Sequence, residues 1–228
     1  MMIAFVTLVG LLAGWLLNQA SNYLPRFSTT PQAVAALPLA PAVWRLLSRT
    51  GRREDWFWLH IGVEVSSGVV FAALWAQLGW SWPFALAIAG CAFFLLIAVI
   101  DVKHRLVLNV LTYPALAAVL LVHLLILRQN TLSVLLGGIL AFSIFFLTAW
   151  LKPGDLGFGD VKLAALIGVT FGFPQVLWAL MAGAGTGGVV AVYLLTFRRN
   201  GMKSQIPYAP FLCLGAVALL LYNVLTWK

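Results

Sequence analysis

Charge is scarce in this chain. Of 228 residues, 14 are Lys or Arg and 6 are Asp or Glu, so charged residues make up 9%. A soluble globular domain carries about 25%, and that class is excluded. Cysteine is scarcer still: only Cys91 and Cys213 occur, both inside apolar runs. They can build neither a disulfide framework nor a cysteine zinc site. No Lys or Arg precedes the first apolar run, Met2 to Leu17. The basic start of a cleaved signal peptide is missing, so this run is read as a retained helix. Internal repeats and low-complexity tracts are absent as well.

What fills the chain is apolar. Hydrophobic residues make up 63%, and the mean hydropathy is +1.01. At about 20 residues per crossing, the runs predict an all-α, polytopic transmembrane helix bundle of about eight spans. The first is Met2 to Leu17, whose Gly10 and Gly14 offer a flat face to a neighbour. The others run near 56–78, 82–100, 107–127, 132–150, 160–171, from Pro174 to about 197, and 208–226. Residues 1–25 hold the first helix, 26–55 a short basic loop, and 56–228 a core of seven helices. The loop carries Arg45, Arg49, Arg52 and Arg53 and no cysteine, so no zinc or other metal is expected there. Gly183, Gly185, Gly187 and Gly188 predict close helix packing in the seventh span.

The net charge of +8 is spread over short loops, which suits anionic lipid and not nucleic acid. An extracytoplasmic amino terminus puts 12 of the 14 basic residues on the cytoplasmic side, as the positive-inside rule requires. Asp101, Asp155 and Asp160 then fall on that side too.

Asp101 follows the uninterrupted run CAFFLLIAVI, where the third span meets the interface. Asp160 ends Gly157-Phe158-Gly159-Asp160, a glycine-rich turn at the mouth of the sixth span. Two accounts of each stand side by side. Asp101 is either a solvated loop residue paired with Lys103 or Arg105, or half of a carboxyl pair. Asp160 either caps the next helix or is the other half. Two close carboxyls share a proton; the ionised one can activate water while the other polarises a carbonyl. Glu64, in HIGVEVSSG, is a costly membrane carboxylate. It reads either as a buried polar pair with His60 or as a substrate or cofactor contact. Asp155 is the rival to Asp160 and reads as solvated or paired with Lys152.

Three segments carry a resemblance: IDVKHRLVLNVLTYP, LGFGDVKLAALIG and QIPYAPFLCLGA, in that order among the spans. Together they resemble the type IV prepilin peptidase family, membrane aspartyl proteases with a GxGD motif. LVGLLAGWLLNQASNYLPR is similar to that family's first helix. The resemblance implies that Asp101 and Asp160 are the catalytic aspartates and that Lys162 is the lysine following the motif, with Gly157 and Gly159 as its glycines. It matches Glu64 to the glutamate of the family's Glu-Leu-Leu-Thr-Gly segment. Pro207 and Pro210 match a Pro-Phe-Gly-Pro element, with Tyr208 and Ala209 in place of its inner residues. Leu108 stands where the family has proline.

The resemblance implies a membrane endopeptidase of the bacterial inner membrane. It would remove the short basic leader of prepilin or pseudopilin substrates, after a glycine at the cytoplasmic face. Proteolysis would need no cofactor. Many members carry two Cys-x-x-Cys pairs in the first loop and also methylate the new amino terminus with S-adenosylmethionine. Here the loop lacks those cysteines, which leaves methylation open. The rival readings are a proton-coupled transporter using Asp101, Asp160 and Glu64, or a non-catalytic scaffold of a pilus or secretion machine. Inverted repeats, which transporters often show, are not visible.

Overall fold

The computed structural model describes residues 2–27, 57–127, 130–151, 156–197 and 208–226. The Arg45 to Arg53 stretch, Lys152, Asp155 and Pro207 lie outside them. Among the described residues there are eight α-helices and no strand. They are α1 (Met2–Tyr23), α2 (Phe57–Leu78), α3 (Trp82–His104), α4 (Asn109–Val122), α5 (Thr131–Leu151), α6 (Phe158–Phe171), α7 (Gln175–Phe197) and α8 (Ala209–Thr226). A π turn, His123–Leu127, prolongs α4. Six helices are long and apolar enough to cross a membrane: α1, α2, α3, α4 with its π turn, α5 and α8. The chain is an all-α, polytopic integral membrane protein.

The helices divide into two compact units, Met1–His104 with Leu220–Lys228, and Arg105–Leu219. In the first, α1 packs along α2, and both touch α3. In lipid, apolar surface gains little from leaving the solvent, so close van der Waals approach has to hold helices together. The predicted glycine face of α1 supplies it. A Cβ at Gly14 would stand 2.6 Å from the Glu64 Cα and collide with the Ser67 hydroxyl. The Ser67 hydroxyl donates to the Gly10 carbonyl at 2.7 Å, adding a polar bond where the backbones are nearest.

One boundary moves. The third span was expected to stop at Ile100, yet α3 runs on to His104. Polarity marks where water begins, not where hydrogen bonding stops. The helix ends only where Arg105 takes φ 52°, a left-handed conformation that a non-glycine residue rarely adopts.

In the second unit α6 is the inner helix. Eight of its fourteen residues are buried, among them Val161, Leu163, Leu166 and Ile167. Beyond Lys162 the helix is apolar on nearly every side, as suits such a place. It lies against α4, α5 and α7. Gly137 of α5 and Gly168 of α6 meet backbone to backbone, and a Cβ on either would overlap the other's carbonyl. Gly172, at φ 69°, ends α6, and Pro174 follows before α7, as expected. Of the α7 glycines, Gly183 and Gly187 pack on Leu212 and Phe211 of α8, while Gly185 and Gly188 face open space.

Candidate active site

Asp160 is set by the turn before it. Gly157 is the N-cap residue of α6, in extended conformation, and no side chain caps the helix. Asp160 is therefore the third helical residue, and its amide donates to the Gly157 carbonyl at 3.0 Å. The helix-capping account is thereby set aside, because Gly157 holds that position. A carboxylate in the first turn still gains about 0.3–1 kcal/mol from the helix dipole.

The two glycines of the turn do different work. A Cβ on Gly159 would lie 2.8 Å from the Val107 Cβ, closer than two carbons can come. Gly159 lets the segment leading into α4 cross the start of α6. At Gly157 a Cβ would make ordinary contacts alone, with the Asp160 Oδ2 at 3.6 Å and the Gly159 amide nitrogen at 3.9 Å.

Lys162 fastens the same end of α6. Its ammonium donates to the Asn109 Oδ1 at 2.9 Å and lies 5.1 Å from the centre of the Tyr113 ring. A cation over a tyrosine face is worth about 0.5–1 kcal/mol at an exposed site. Tyr208, just before α8, stands 6.0 Å from the Phe145 ring. Burial holds its phenol above the ordinary value, and the negative charge of Asp160 adds to this. Tyr208 is thus a neutral hydroxyl within electrostatic reach of Asp160.

Asp101 belongs to the other unit. It is helical, in the last turn of α3, and 5% exposed, so the solvated-loop account does not hold. Lys103 does not serve as its loop partner. The Lys103 ammonium donates to Ser21 Oγ at 2.8 Å and to Asn22 Oδ1 at 3.1 Å, and it lies 3.2 Å from His60 Nε2. Lys103 is the near neighbour of His60 Nε2, and the charge of Glu64 also acts on that ring. Glu64 sits half-buried on α2, beside the Gly14 crossing.

Residues 88–192 match the Type IV leader peptidase family, a segment that holds Asp101, Asn109, the glycine turn, Asp160 and Lys162. The chain belongs to the type IV leader peptidase family. Among curated relatives, the "Prepilin leader peptidase/N-methyltransferase" of Burkholderia pseudomallei is 31% identical over 171 residues, 71% of this chain and 54% of the relative. The protein of the same name from Stutzerimonas stutzeri is 26% identical over 165 residues, 69% of this chain and 57% of the relative. That of Bacillus subtilis is 25% identical over 168 residues, 72% of this chain and 66% of the relative. The chain thus spans 54% to 66% of the length of these relatives. No solved structure matches it.

Within this family member, one cluster escaped the sequence reading: Ser21, Asn22, His60 and Lys103. Its signal was present. Asn18, Ser21 and Asn22 are spaced three and four apart, which puts three polar side chains on one face at the end of an apolar helix. A polar stripe there needs polar partners, and His60 and Lys103 provide them.

Proposed function

We propose that the protein is a membrane aspartyl endopeptidase that removes the short leader of prepilin-like proteins, with Asp101 and Asp160 as its catalytic pair. The observation that carries this reading is the placement of both carboxyls. Each sits on the terminal turn of an apolar helix, and both lie inside the family match. In this reading residues 26–55 form a cytoplasmic loop without zinc, 56–228 form the peptidase core, and the membrane is the bacterial inner membrane.

The chemistry follows from two carboxyls sharing one proton. The ionised aspartate takes a proton from water as the water oxygen bonds to the scissile carbonyl carbon. The protonated aspartate gives its proton to the carbonyl oxygen. When the C–N bond breaks, the first aspartate passes its proton to the leaving amine. The second recovers a proton from the diol, and the pair is reset. One water is consumed and one peptide bond is lost.

The names of the relatives include N-methyltransferase. S-adenosylmethionine would supply the methyl group for a new amino terminus. Such a cation needs acceptors, and the α1–α2 contact has two candidates: the half-buried Glu64 and Asn18 Oδ1. The latter is buried with no hydrogen-bond partner among the described residues. We assign these two residues to the methyl donor, and equilibrium binding of S-adenosylmethionine to the purified chain, with and without Glu64→Gln, tests the assignment.

The deciding experiment for proteolysis is incubation of the purified protein with a prepilin, followed by amino-terminal sequencing of the product. A single new terminus after the leader glycine is expected. Intact substrate under conditions where a known family member cuts it would refute the proposal.

A further inference from the structure

Both aspartates begin the same triplet. Asp101-Val102-Lys103 closes α3, and Asp160-Val161-Lys162 lies in the first turns of α6. Helix residues two apart do not face each other. A lysine two places after an aspartate is therefore directed away from it, toward whatever packs behind the helix.

At Lys103 that backing is complete. An ammonium carries three N–H donors, and three acceptors meet it: Ser21 Oγ, Asn22 Oδ1 and His60 Nε2. A charged Lys103 requires the His60 tautomer whose Nε2 lone pair accepts. Ser21 is fully buried, and Asn18 Nδ2 donates to the His60 carbonyl at 3.2 Å, so the cage is itself tied across α1 and α2. The helix it holds has no glycine cap: Arg105 takes the left-handed turn after α3. A terminal turn ended in that way needs support from elsewhere.

We propose that Lys103 is a positioning residue for Asp101. Its ammonium, fixed by Ser21 and Asn22 from α1 and by His60 from α2, sets the rotation and height of the last turn of α3. The direction of the Asp101 carboxyl follows. This rests on the reading of Asp101 as catalytic. A substrate-binding role for Lys103 is disfavoured by the donor count, because no N–H is left for a substrate oxygen. Lys162 obeys the same geometry in the other unit, with Asn109 and Tyr113 as its backing.

The test is steady-state cleavage of a prepilin by the full-length purified chain, per mole of protein of unchanged melting temperature. The variants are Lys103→Met, Lys103→Arg, Ser21→Ala, the double Ser21→Ala/Lys103→Met, and Asp101→Asn as reference. A catalytic group misplaced by about 1 Å costs about 100-fold. Lys103→Met should therefore lower kcat about 30- to 100-fold and leave KM within about twofold. Lys103→Arg, which keeps charge and donors, should recover most of the loss. Ser21→Ala should cost about 3- to 10-fold, and the double variant should be no worse than Lys103→Met, as expected of residues acting as a unit. Wild-type kcat in Lys103→Met beside an inactive Asp101→Asn overturns the proposal, as does a raised KM with kcat unchanged. If Lys103→Met does not fold, Ser21→Ala decides, and an unchanged kcat there overturns it. An active Asp101→Asn enzyme sinks the aspartyl reading itself, a result that no other outcome resembles.

Discussion

Replacing Gly159 by alanine should harm the enzyme far more than replacing Gly157, although both glycines belong to one short motif. A methyl on Gly159 would stand 2.8 Å from the Val107 Cβ. Carbon atoms settle at about 3.5–4.0 Å, so the two backbones must part by roughly 0.7–1.2 Å. Overpacking of this kind costs about 1–3 kcal/mol. It also acts on the residue next to Asp160, and a misplacement of about 1 Å costs about 100-fold in rate. Gly157→Ala meets an ordinary contact at 3.6 Å. Its φ and ψ of −76° and 144° suit any residue. Alanine caps a helix less well than glycine, but it also loses less backbone entropy, about 0.4–1 kcal/mol, and the two effects nearly cancel.

Prepilin cleavage, normalised to membrane-inserted protein, should therefore fall about 10- to 100-fold for Gly159→Ala. It should stay within about threefold for Gly157→Ala unless substrate passes over that residue. The collision has a built-in control. Val107→Gly removes the opposing Cβ and leaves Val107 Cα at 3.7 Å, so Gly159→Ala/Val107→Gly should regain most of the lost activity. Normal cleavage by Gly159→Ala would refute the reasoning, and so would a double variant no better than the single one.

Asp101→Asn and Asp160→Asn should each abolish cleavage, a loss of about 100- to 10,000-fold, while Asp155→Asn should cleave well; the reverse pattern at 155 and 160 would mean that the wrong carboxyl was assigned. Tyr208→Phe should cleave within about threefold of wild type, because its neutral hydroxyl makes no hydrogen bond among the described residues and the family element has phenylalanine there; a loss above about tenfold would bring the hydroxyl into the chemistry. Arg49→Cys should resist an impermeant thiol reagent added to sealed cells, as a cytoplasmic residue would. Cys91 and Cys213 are buried and give little background, so efficient labelling would reverse the topology.

Hydropathy located the long helices, because each crossing must satisfy its own backbone and so shows as one long apolar run; of the eight spans expected, six described helices are long and apolar enough to cross. It could not locate the end of α3. Asp101 to His104 are polar yet helical, and the helix stops at the conformation of Arg105, which no hydropathy profile records. The GxGD turn was legible as a motif, but the separate duties of its glycines were not. Gly159 is constrained by Val107, fifty-two positions earlier in the chain, and only the packing of α6 against the segment before α4 shows it. The partners of Lys103 were hidden for a related reason. In sequence its nearest opposite charge is Asp101, whereas on a helix the two point apart and the neutral acceptors of α1 and α2 are nearer.

The length of α6 bears on how a leader could be cut at all. α5 has 21 residues and α6 has 14, which at about 1.5 Å per residue makes them about 31 Å and about 21 Å long. They are fastened at one end, where the Ser133 hydroxyl donates to the Phe173 carbonyl at 2.6 Å and the Phe173 amide to the Ser133 carbonyl at 2.9 Å. The other end of α6, with Asp160, therefore stops about 10 Å short of the end of α5. A hydrocarbon core is about 30 Å thick, a length that α5 matches; set across such a core, α5 would leave Asp160 recessed from its face by about that 10 Å. A carboxylate at that depth needs support, and the dipole of α6 supplies some of it. In the proposed reading the recess also selects the substrate. An apolar substrate helix held in the bilayer ends near that depth, so the bond before it reaches the carboxyls without the helix being pulled into water. A basic leader stays outside, at the interface. Cleavage at that junction then follows from where a short helix stops beside a long one.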